Sequence, residues 1–244
     1  MKTFALNSVD FLDTPDHKRF YNEQLFTEVA PKYDLITRLL SFGRDEVWKR
    51  DMMAAIPEAR PDVCVDLACG TGDLTLQLKR RFSDAQVIGV DLTPGMIELA
   101  RQREGASALT FEVGDMGNLR FDNESVDIIT GGYALRNAPD IDTALGEMAR
   151  VLRPGGYLAL LDFSKSPSAA LQWAHYGLLK LWGGLWGALM HRHADVYGYI
   201  AESLKRFPDR EDLREQFQRH GLTPVASRRY FGGMLEWIVC RKND

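Results

Sequence analysis

The chain has 244 residues, 45% of them hydrophobic, and a formal net charge of -4 at pH 7. That length can bury a sizeable core and reads as one elaborated domain over 1–244, while the acidic balance argues against a general nucleic-acid binder. Residues 1–20 carry Asp10, Asp13 and Asp16 without the apolar run of a signal peptide, and the three cysteines, Cys64, Cys69 and Cys240, are odd in number, so a reducing, cytoplasmic setting is expected.

Residues 20–55 read as a helical arm, with Phe26, Val29, Tyr33, Ile36, Leu39 and Leu40 near helical spacing, a break at Gly43 and Trp48 beyond it. Pro31 interrupts the pattern locally. Val63-Cys64-Val65-Asp66-Leu67 is a short β-rich apolar run that reads as a buried parallel strand. It is cut off at Ala68-Cys69-Gly70-Thr71-Gly72, and a helix opens at Asp73. Gly70 and Gly72 suit a backbone that turns sharply and lets a ligand approach where a Cβ would collide. Strand, glycine turn and helix together place free backbone N–H groups at the carboxyl edge of a sheet, where open α/β folds bind cofactors. The third glycine of the dinucleotide fingerprint is missing. Asp66 and Asp73 would repel a pyrophosphate, whereas a cationic, nucleoside-bearing ligand would tolerate or need them. Further on, Val87-Ile88-Gly89-Val90-Asp91 is a second strand, ending in a carboxylate at the position that grips ribose hydroxyls, with Leu92 beside it.

Residues 94–103 read as a helix with proline in its first turn, and 109–113 as a third strand running into Gly114-Asp115-Met116. Residues 126–132 form the fourth strand, and Gly132 would let a cofactor pass close by. Residues 141–152 read as a helix, Arg153-Pro154-Gly155-Gly156 as its stop, and 157–163 as the fifth strand. Strand and helix alternating through five strands mean a parallel sheet with helices on both faces. Residues 209–220 read as a helix, and 223–230 and 234–241 as paired strands around Phe231-Gly232-Gly233.

Residues 164–208 interrupt that rhythm as a cap or lid insertion. Within them 171–190 is nearly uncharged, carries Trp173, Trp182 and Trp186, and by length alone would span a membrane. A single crossing would strand the last two strands across the bilayer from the sheet that they complete. The segment therefore reads as a cap, a lid or an interfacial helix; a plain packing helix is the other reading.

Two further patterns stand in the same insertion. Tyr176-Gly177-Leu178-Leu179-Lys180, with Ser164 upstream, matches the Tyr-x-x-x-Lys pair of a nicotinamide enzyme, whose glycine fingerprint is absent. His191-Arg192-His193-Ala194-Asp195 has metal-ligand spacing, but completing a site would require His17, His175 or His220 from elsewhere; a solvated or substrate-facing loop is expected and no metal.

The glycine turn, Asp91 and the later elements in their order resemble the class I S-adenosylmethionine-dependent methyltransferases. Within that class, Ala30-Pro31-Lys32-Tyr33-Asp34, Leu40-Ser41-Phe42-Gly43 and Val47-Trp48-Lys49-Arg50 resemble the ubiquinone/menaquinone biosynthesis C-methyltransferases. So do Tyr133-Ala134-Leu135-Arg136-Asn137-Ala138-Pro139-Asp140, Leu161-Asp162-Phe163-Ser164-Lys165, Tyr199-Ile200-Ala201-Glu202-Ser203 and Phe207-Pro208. The chain departs from that pattern at Ala134, where glycine is usual, at Asp162, where glutamate is usual, and in its tryptophan-glycine run. The resemblance implies a Rossmann-like, doubly wound α/β fold: a seven-stranded sheet, six strands parallel and the last antiparallel, with helices on both faces, an N-terminal helical arm and a helical cap. It implies S-adenosyl-L-methionine as cofactor, leaving as S-adenosyl-L-homocysteine. The residues matching the cofactor positions are Asp66, Ala68, Gly70, Thr71, Gly72, Asp91, Leu92, Asp115, Met116 and Gly132, with Asp115 at the adenine edge. A simple turn residue is the other reading of Asp115.

Methyl transfer from a sulfonium is an in-line displacement, so the protein has to hold the acceptor atom roughly 3 to 3.5 Å from the methyl group. For a carbon acceptor on a hydroquinone ring, the neighbouring hydroxyl must also lose its proton, which calls for a base or an ordered water and a cation facing the phenolate. Arg136 is expected to stabilise the phenolate, Asn137 to orient the hydroxyl or water, and Tyr33 to close the pocket from the arm. An ion pair with Asp140 or Glu202 is the competing reading of Arg136. Tyr133, His175, Trp182, Trp186 and Tyr199 are the candidates for the substrate side and the cap. The acceptor is expected to be an isoprenoid quinol, a demethylmenaquinol or a ubiquinol precursor. The alternatives are N- or O-methylation of another apolar or lipid substrate, and a non-catalytic adenosyl-ligand binding module. Peripheral membrane contact through 171–190 is expected, and a homodimer is left open.

Overall fold

The structure is a computed structural model that describes residues 11–191, 193 and 195–244; Asp10 and the rest of 1–10 lie outside the described residues, as do Arg192, Ala194 and the side chain of Asp195 from the histidine-rich run. Three helices precede the first strand: α1 (Pro15–Val29), α2 (Tyr33–Leu40) and α3 (Asp45–Ala55). Thr14 caps α1 by accepting the His17 N–H, and Pro31 falls in the 3-10 turn Ala30–Lys32 between α1 and α2 rather than inside a helix. Strand β1 (Val63–Leu67), α4 (Asp73–Arg81), β2 (Gln86–Asp91), α5 (Pro94–Arg101), β3 (Thr110–Val113), β4 (Val126–Gly132), α6 (Ile141–Val151) and β5 (Leu152–Phe163) follow in alternation. Then come α7 (Ala169–His191), α8 (Asp195–Arg206), α9 (Arg210–Arg219), β6 (Leu222–Tyr230) and β7 (Leu235–Lys242).

The seven strands form one sheet in the order β3-β2-β1-β4-β5-β7-β6, with β7 antiparallel to both of its neighbours and the other pairings parallel. The direction of winding reverses between β1 and β4, where Leu67 faces Val90 on one side and Gly131 on the other. That reversal opens a crevice at the carboxyl ends of the strands, the usual ligand position in such sheets. Side chains alternate across the pleat, so Val65, Ile129 and Leu160 pack with α6 and α9, while Cys64, Ile128 and Leu161 pack with α3 and α4. A third cluster joins Tyr21 and Leu25 of α1, Ile36 of α2, Met96 of α5 and Val196 and Tyr199 of α8, so the N-terminal helices and the insertion share a core above the crevice.

Two boundaries differ from expectation: the helical arm starts at Pro15 rather than at residue 20, and β5 at Leu152 rather than at 157. Arg153-Pro154-Gly155-Gly156 does end the helix, but the chain pairs with β4 at once, Leu152 opposite Val126, and loops out before Tyr157 meets Ile128. The two glycines make this possible. Gly155 has φ +77, and a Cβ on Gly156 would lie 2.8 Å from the Asp127 carbonyl oxygen.

Helix α7 packs along α8 at Gly183, where a Cβ would come within 2.8 Å of the Tyr197 carbonyl. Its outer face is apolar and open: Trp173 is 79% exposed and Leu181 77%, with Leu185 and Leu189 also exposed. Among the described residues no helix is long and apolar enough to cross a membrane.

Candidate active site

The loop after β1 turns through left-handed backbone at Ala68 (φ +49), Gly70 (φ +54) and Gly72 (φ +87). A positive φ at a residue with a Cβ is uncommon and marks a loop held by its surroundings. The hold comes from the next strand: Cys69 N–H donates to the Val90 carbonyl (3.0 Å), and Gly70 N–H to Asp91 Oδ2 (2.8 Å). Asp91 Oδ1 accepts the Thr93 N–H at 2.8 Å. Burial pushes the Asp91 carboxyl above its ordinary value, and these two backbone donors oppose the rise.

The crevice brings Ala68, Gly70, Asp91, Leu92, Asp115, Met116 and Gly132 into one lining. A Cβ on Gly70 would meet the Tyr33 ring at 3.4 Å, so α2 lies directly over this loop. The lining is compatible with an adenosyl sulfonium: the Asp91 carboxylate ends β2, apolar Leu92 and Met116 lie beside it, and no cation among the described lining residues would repel the sulfonium. Asp115 is engaged by Arg19 of α1 at 2.7 Å, and its Oδ1 accepts the Gly117 N–H, the bond of a turn residue.

The other cofactor candidates lie elsewhere. Asp66 is buried and accepts the hydroxyls of Thr75 (2.7 Å) and Thr130 (2.8 Å), tying β1 to α4 and β4; burial pushes its carboxyl up to about 7. Thr71 donates to Asp34 of α2 at 2.6 Å. Gly72 lines neither cavity; its bare Cα is what lets Phe111 pack, since a Cβ would sit 3.0 Å from that ring. Asp66 and Thr71 border a second, polar cavity with Asp34, Asp45, Asp73, Arg103 and Lys49. Lys49 is a site residue that the sequence pattern does not single out, although it stands within Val47-Trp48-Lys49-Arg50. Its Nζ lies 2.6 Å from Asp45 and 2.9 Å from Asp73; burial disfavours its charge, but the two carboxylates outweigh that and raise its pKa. A fixed cation among carboxylates beside the glycine loop can take the zwitterionic amino-acid end of an adenosyl sulfonium.

The segment after β4 turns back through Tyr133 (φ +57) into a 3-10 turn, Leu135–Asn137. The Tyr133 hydroxyl donates to Asp45 at 2.6 Å. Arg136 is only 4% exposed. Its backbone N–H donates to Asp162 Oδ2 (2.8 Å), its Nε lies 3.5 Å from Asp162 Oδ1, and a terminal N–H donates to the Ser203 hydroxyl. The guanidinium carbon lies 5.3 Å from the Phe163 ring centre and 5.6 Å from that of Tyr199. The ion-pair partner is therefore Asp162 and not Asp140 or Glu202, both of which are occupied: Asp140 caps α6 through the Thr143 N–H, and Glu202 pairs with Lys205.

Asn137 donates to the Tyr133 carbonyl at 2.8 Å. The Tyr199 hydroxyl lies 2.7 Å from Asn22 Oδ1 and 3.1 Å from Asn137 Oδ1, and Asn22 Nδ2 donates to the Asn137 carbonyl at 2.7 Å. Lys18 adds a bond to the Ala138 carbonyl at 2.6 Å, with its pKa drawn down to about 8 by burial. Asn22 and Lys18 were not anticipated; their chemistry is set by residues more than a hundred positions away, and neither sits in a motif.

Next to the crevice is an apolar cavity of about 360 Å³ between the N-terminal helices and α7–α8. Arg136, His175 and Tyr199 stand in its wall, and Phe26, Tyr33, Tyr133 and Asn137 line both it and the crevice. Trp182 and Trp186 are outside its lining: Trp182 stacks on Phe42 (5.0 Å) and meets Trp186 edge-on (5.7 Å), so it supports Phe42 at the rim. The two rejected patterns also find other partners, Tyr176 lying 6.0 Å from Lys205 and His191 Nε2 lying 2.8 Å from the Tyr197 hydroxyl. Among the described residues no group of three or more His, Cys, Asp or Glu is placed to hold a metal ion.

The model of the ubiE/COQ5 methyltransferase family matches residues 14–241. The demethylmenaquinone methyltransferase of Deinococcus radiodurans is 36% identical over 224 residues, 88% of this chain and 90% of that protein. The ubiquinone/menaquinone biosynthesis C-methyltransferase UbiE of Dinoroseobacter shibae is 36% identical over 219 residues, 87% of each chain. Among solved structures, a chain from the complex between the Haloferax volcanii Trm112 methyltransferase activator and a methyltransferase superposes with a TM-score of 0.67 at 20% identity, covering 90% of this chain and 98% of that one. The geranyl diphosphate C-methyltransferase of Streptomyces coelicolor, solved with S-adenosyl-L-homocysteine, gives 0.60 at 15% identity, over 81% of this chain and 76% of its own.

Proposed function

The chain belongs to the ubiE/COQ5 methyltransferase family and is an S-adenosylmethionine-dependent methyltransferase; from that premise we propose that it C-methylates the ring of an isoprenoid quinol, a demethylmenaquinol or a ubiquinol precursor. The observation that carries the reading is the shared wall. A nucleoside-sized crevice and an apolar cavity of about 360 Å³ meet at Tyr33, Tyr133 and Asn137, so an apolar ring in one lies against a ligand in the other.

When bound, S-adenosylmethionine supplies the electrophilic methyl group. The chain's own residues bind and orient. Asp91 is placed to hold the ribose, Lys49 the carboxylate of the amino-acid end, and Tyr33 shields the junction of the two cavities from water. Arg136, with Asp162 behind it, presents a desolvated cation to a developing phenolate, and Asn137 is fixed at both its carbonyl and its side chain to orient the ring hydroxyl.

The outer face of α7 is further proposed to rest on the membrane that dissolves such a quinol. Phe42 and Leu178 are exposed and also line the apolar cavity, so the open face of the helix runs into the cavity's mouth. Replacing Leu181, Leu185 and Leu189 by serine is expected to reduce co-sedimentation with vesicles; unchanged sedimentation would remove the membrane from this picture. For the reaction itself, the protein is incubated with methyl-labelled S-adenosylmethionine and vesicles containing demethylmenaquinol. Ring-methylated quinone is the expected product. Label in the amine or hydroxyl of another lipid, or no transfer, counts against the quinol.

A further inference from the structure

Carbon methylation leaves a proton to be moved, because a ring carbon is a good nucleophile only once the hydroxyl beside it has ionised. The groups lining the apolar cavity narrow the choice of base. Among the described residues no carboxylate lines it. Burial pushes Tyr33 and Tyr199 up to about 12 and raises Tyr133 and Tyr197 as well, and Arg136 keeps its proton at any working pH. Asp162 lies behind the arginine. That leaves His175.

His175 is 8% exposed and stands on the inward face of α7, where the residues one and two turns on are Leu179 and Gly183. An imidazole buried on an apolar face costs free energy unless a polar group meets it. The backbone of Phe231, in the same cavity wall, is a polar neighbour that favours the protonated ring. A neutral imidazole carries a proton on one nitrogen and leaves the other as an acceptor. No charged side chain is among the groups acting on it, and burial holds the pKa below the ordinary imidazole value. The ring is thus neutral at pH 7 and able to take up a proton.

We propose that His175 is the general base of the reaction, a catalytic residue that accepts the proton of the acceptor's ring hydroxyl. The proposal rests on the quinol reading above. The hydroxyl ortho to the accepting carbon gives its proton to a ring nitrogen of His175, and Arg136 in the same cavity wall faces the oxyanion. The electron pair on oxygen moves into the ring, whose carbon forms its bond to the methyl group as the methyl–sulfur bond breaks with its pair staying on sulfur. The ring carbon then releases its hydrogen as a proton to water, and the imidazolium returns its own proton to the ring oxygen. One proton leaves to solvent and the imidazole is restored.

The test compares the wild type with His175→Gln and His175→Ala, using demethylmenaquinol with a short prenyl chain in anaerobic micelles. Glutamine can still meet the Phe231 backbone with a polar group but cannot take up a proton. His175→Gln is expected to retain its melting temperature and its calorimetric affinity for S-adenosylmethionine while the single-turnover rate falls by about 10² or more. The wild-type rate should rise with pH through a midpoint below the ordinary imidazole value, and that limb should vanish in the variant. Free imidazole should restore part of the His175→Ala rate. A glutamine variant that keeps the wild-type rate and acid limb overturns the proposal, as does an alanine variant that imidazole fails to rescue. A wild type that binds S-adenosylmethionine but leaves the quinol unmethylated overturns the quinol reading, and this assignment with it.

Discussion

At the carboxyl ends of β1 and β2 the polar groups are met by their sheet neighbours: Asp91 takes the N–H groups of Gly70 and Thr93, and Asp66 the hydroxyls of Thr75 and Thr130. In the apolar cavity the polar groups are met from afar. Asn137 is held by Asn22 of α1 and Tyr199 of α8, and Arg136 by Ser203 of α8 and Asp162 of β5. The difference assigns each region a separate failure. The crevice comes with the sheet and should fail as lost binding, whereas the cavity exists only once the N-terminal helices and the insertion have docked and should fail as lost rate.

The hardest test of that division is Arg136→Gln. It leaves Asp162 buried without its cation, so the melting temperature should fall. If the guanidinium also faces the phenolate, the single-turnover rate per folded molecule should drop by about 10², or about 2.7 kcal/mol, with S-adenosylmethionine affinity nearly intact. Normal chemistry in a destabilised protein would make the arginine purely structural.

Asp91→Ala probes the other side. Loss of a charge-assisted bond to ribose should weaken S-adenosylmethionine binding by about 30-fold. Calorimetry giving an affinity within about threefold of wild type would show that Asp91 serves only the two backbone N–H groups it accepts here.

A smaller effect is expected from Tyr199→Phe, which removes the hydroxyl shared by Asn22 and Asn137. A net loss of about 1 kcal/mol corresponds to roughly a fivefold fall in kcat. Asn22→Ala should act alike, and the double variant should cost less than the product of the two if they form one unit. Multiplicative losses would separate them.

On activity the smallest effect is expected at Asp66, which bears on stability alone. Its folded pKa, about 7, lies above the ordinary carboxylate value near 4, so the folded state keeps a proton that the unfolded chain gives up. The associated stability is fully present below about pH 4 and is lost as pH rises toward 7. Asp66→Asn should remove this slope, leaving the variant roughly 10 °C closer to its acid-range melting temperature at pH 7.5 than the wild type is. Parallel melting curves across pH 4 to 8 would mean that Thr75 and Thr130 keep the carboxylate ionised.

Legibility followed the same boundary. The strand, glycine turn and helix from Val63 to Arg81 were plain in the sequence because each part is a local signal: a β-branched run, a break that tolerates positive φ, and a helical repeat. The gathering of Gly70, Asp91 and Gly132 followed from the alternation of strand and helix, since parallel strands put their ends together, and Asp115 from the family resemblance. Arg153-Pro154-Gly155-Gly156 was legible as a helix stop but not as part of β5, because a loop-out within a ladder has no signature beyond glycine.

By itself, then, the sequence determined the alternating sheet, the glycine turn at its carboxyl edge and the place of Arg136 and Asn137 directly after the fourth strand. Only the tertiary structure decided that Arg136 pairs with Asp162, that Lys49 lies between Asp45 and Asp73, and that Asn22 clamps Asn137. These are choices among many like-charged or like-polar residues, and local pattern ranks none of them. The tertiary structure also decided which side of α7 faces water. That helix is apolar nearly all round, so its periodicity offers no inward face; contact with α8 at Gly183 turns His175 toward the cavity and leaves Leu181, Leu185 and Leu189 outside.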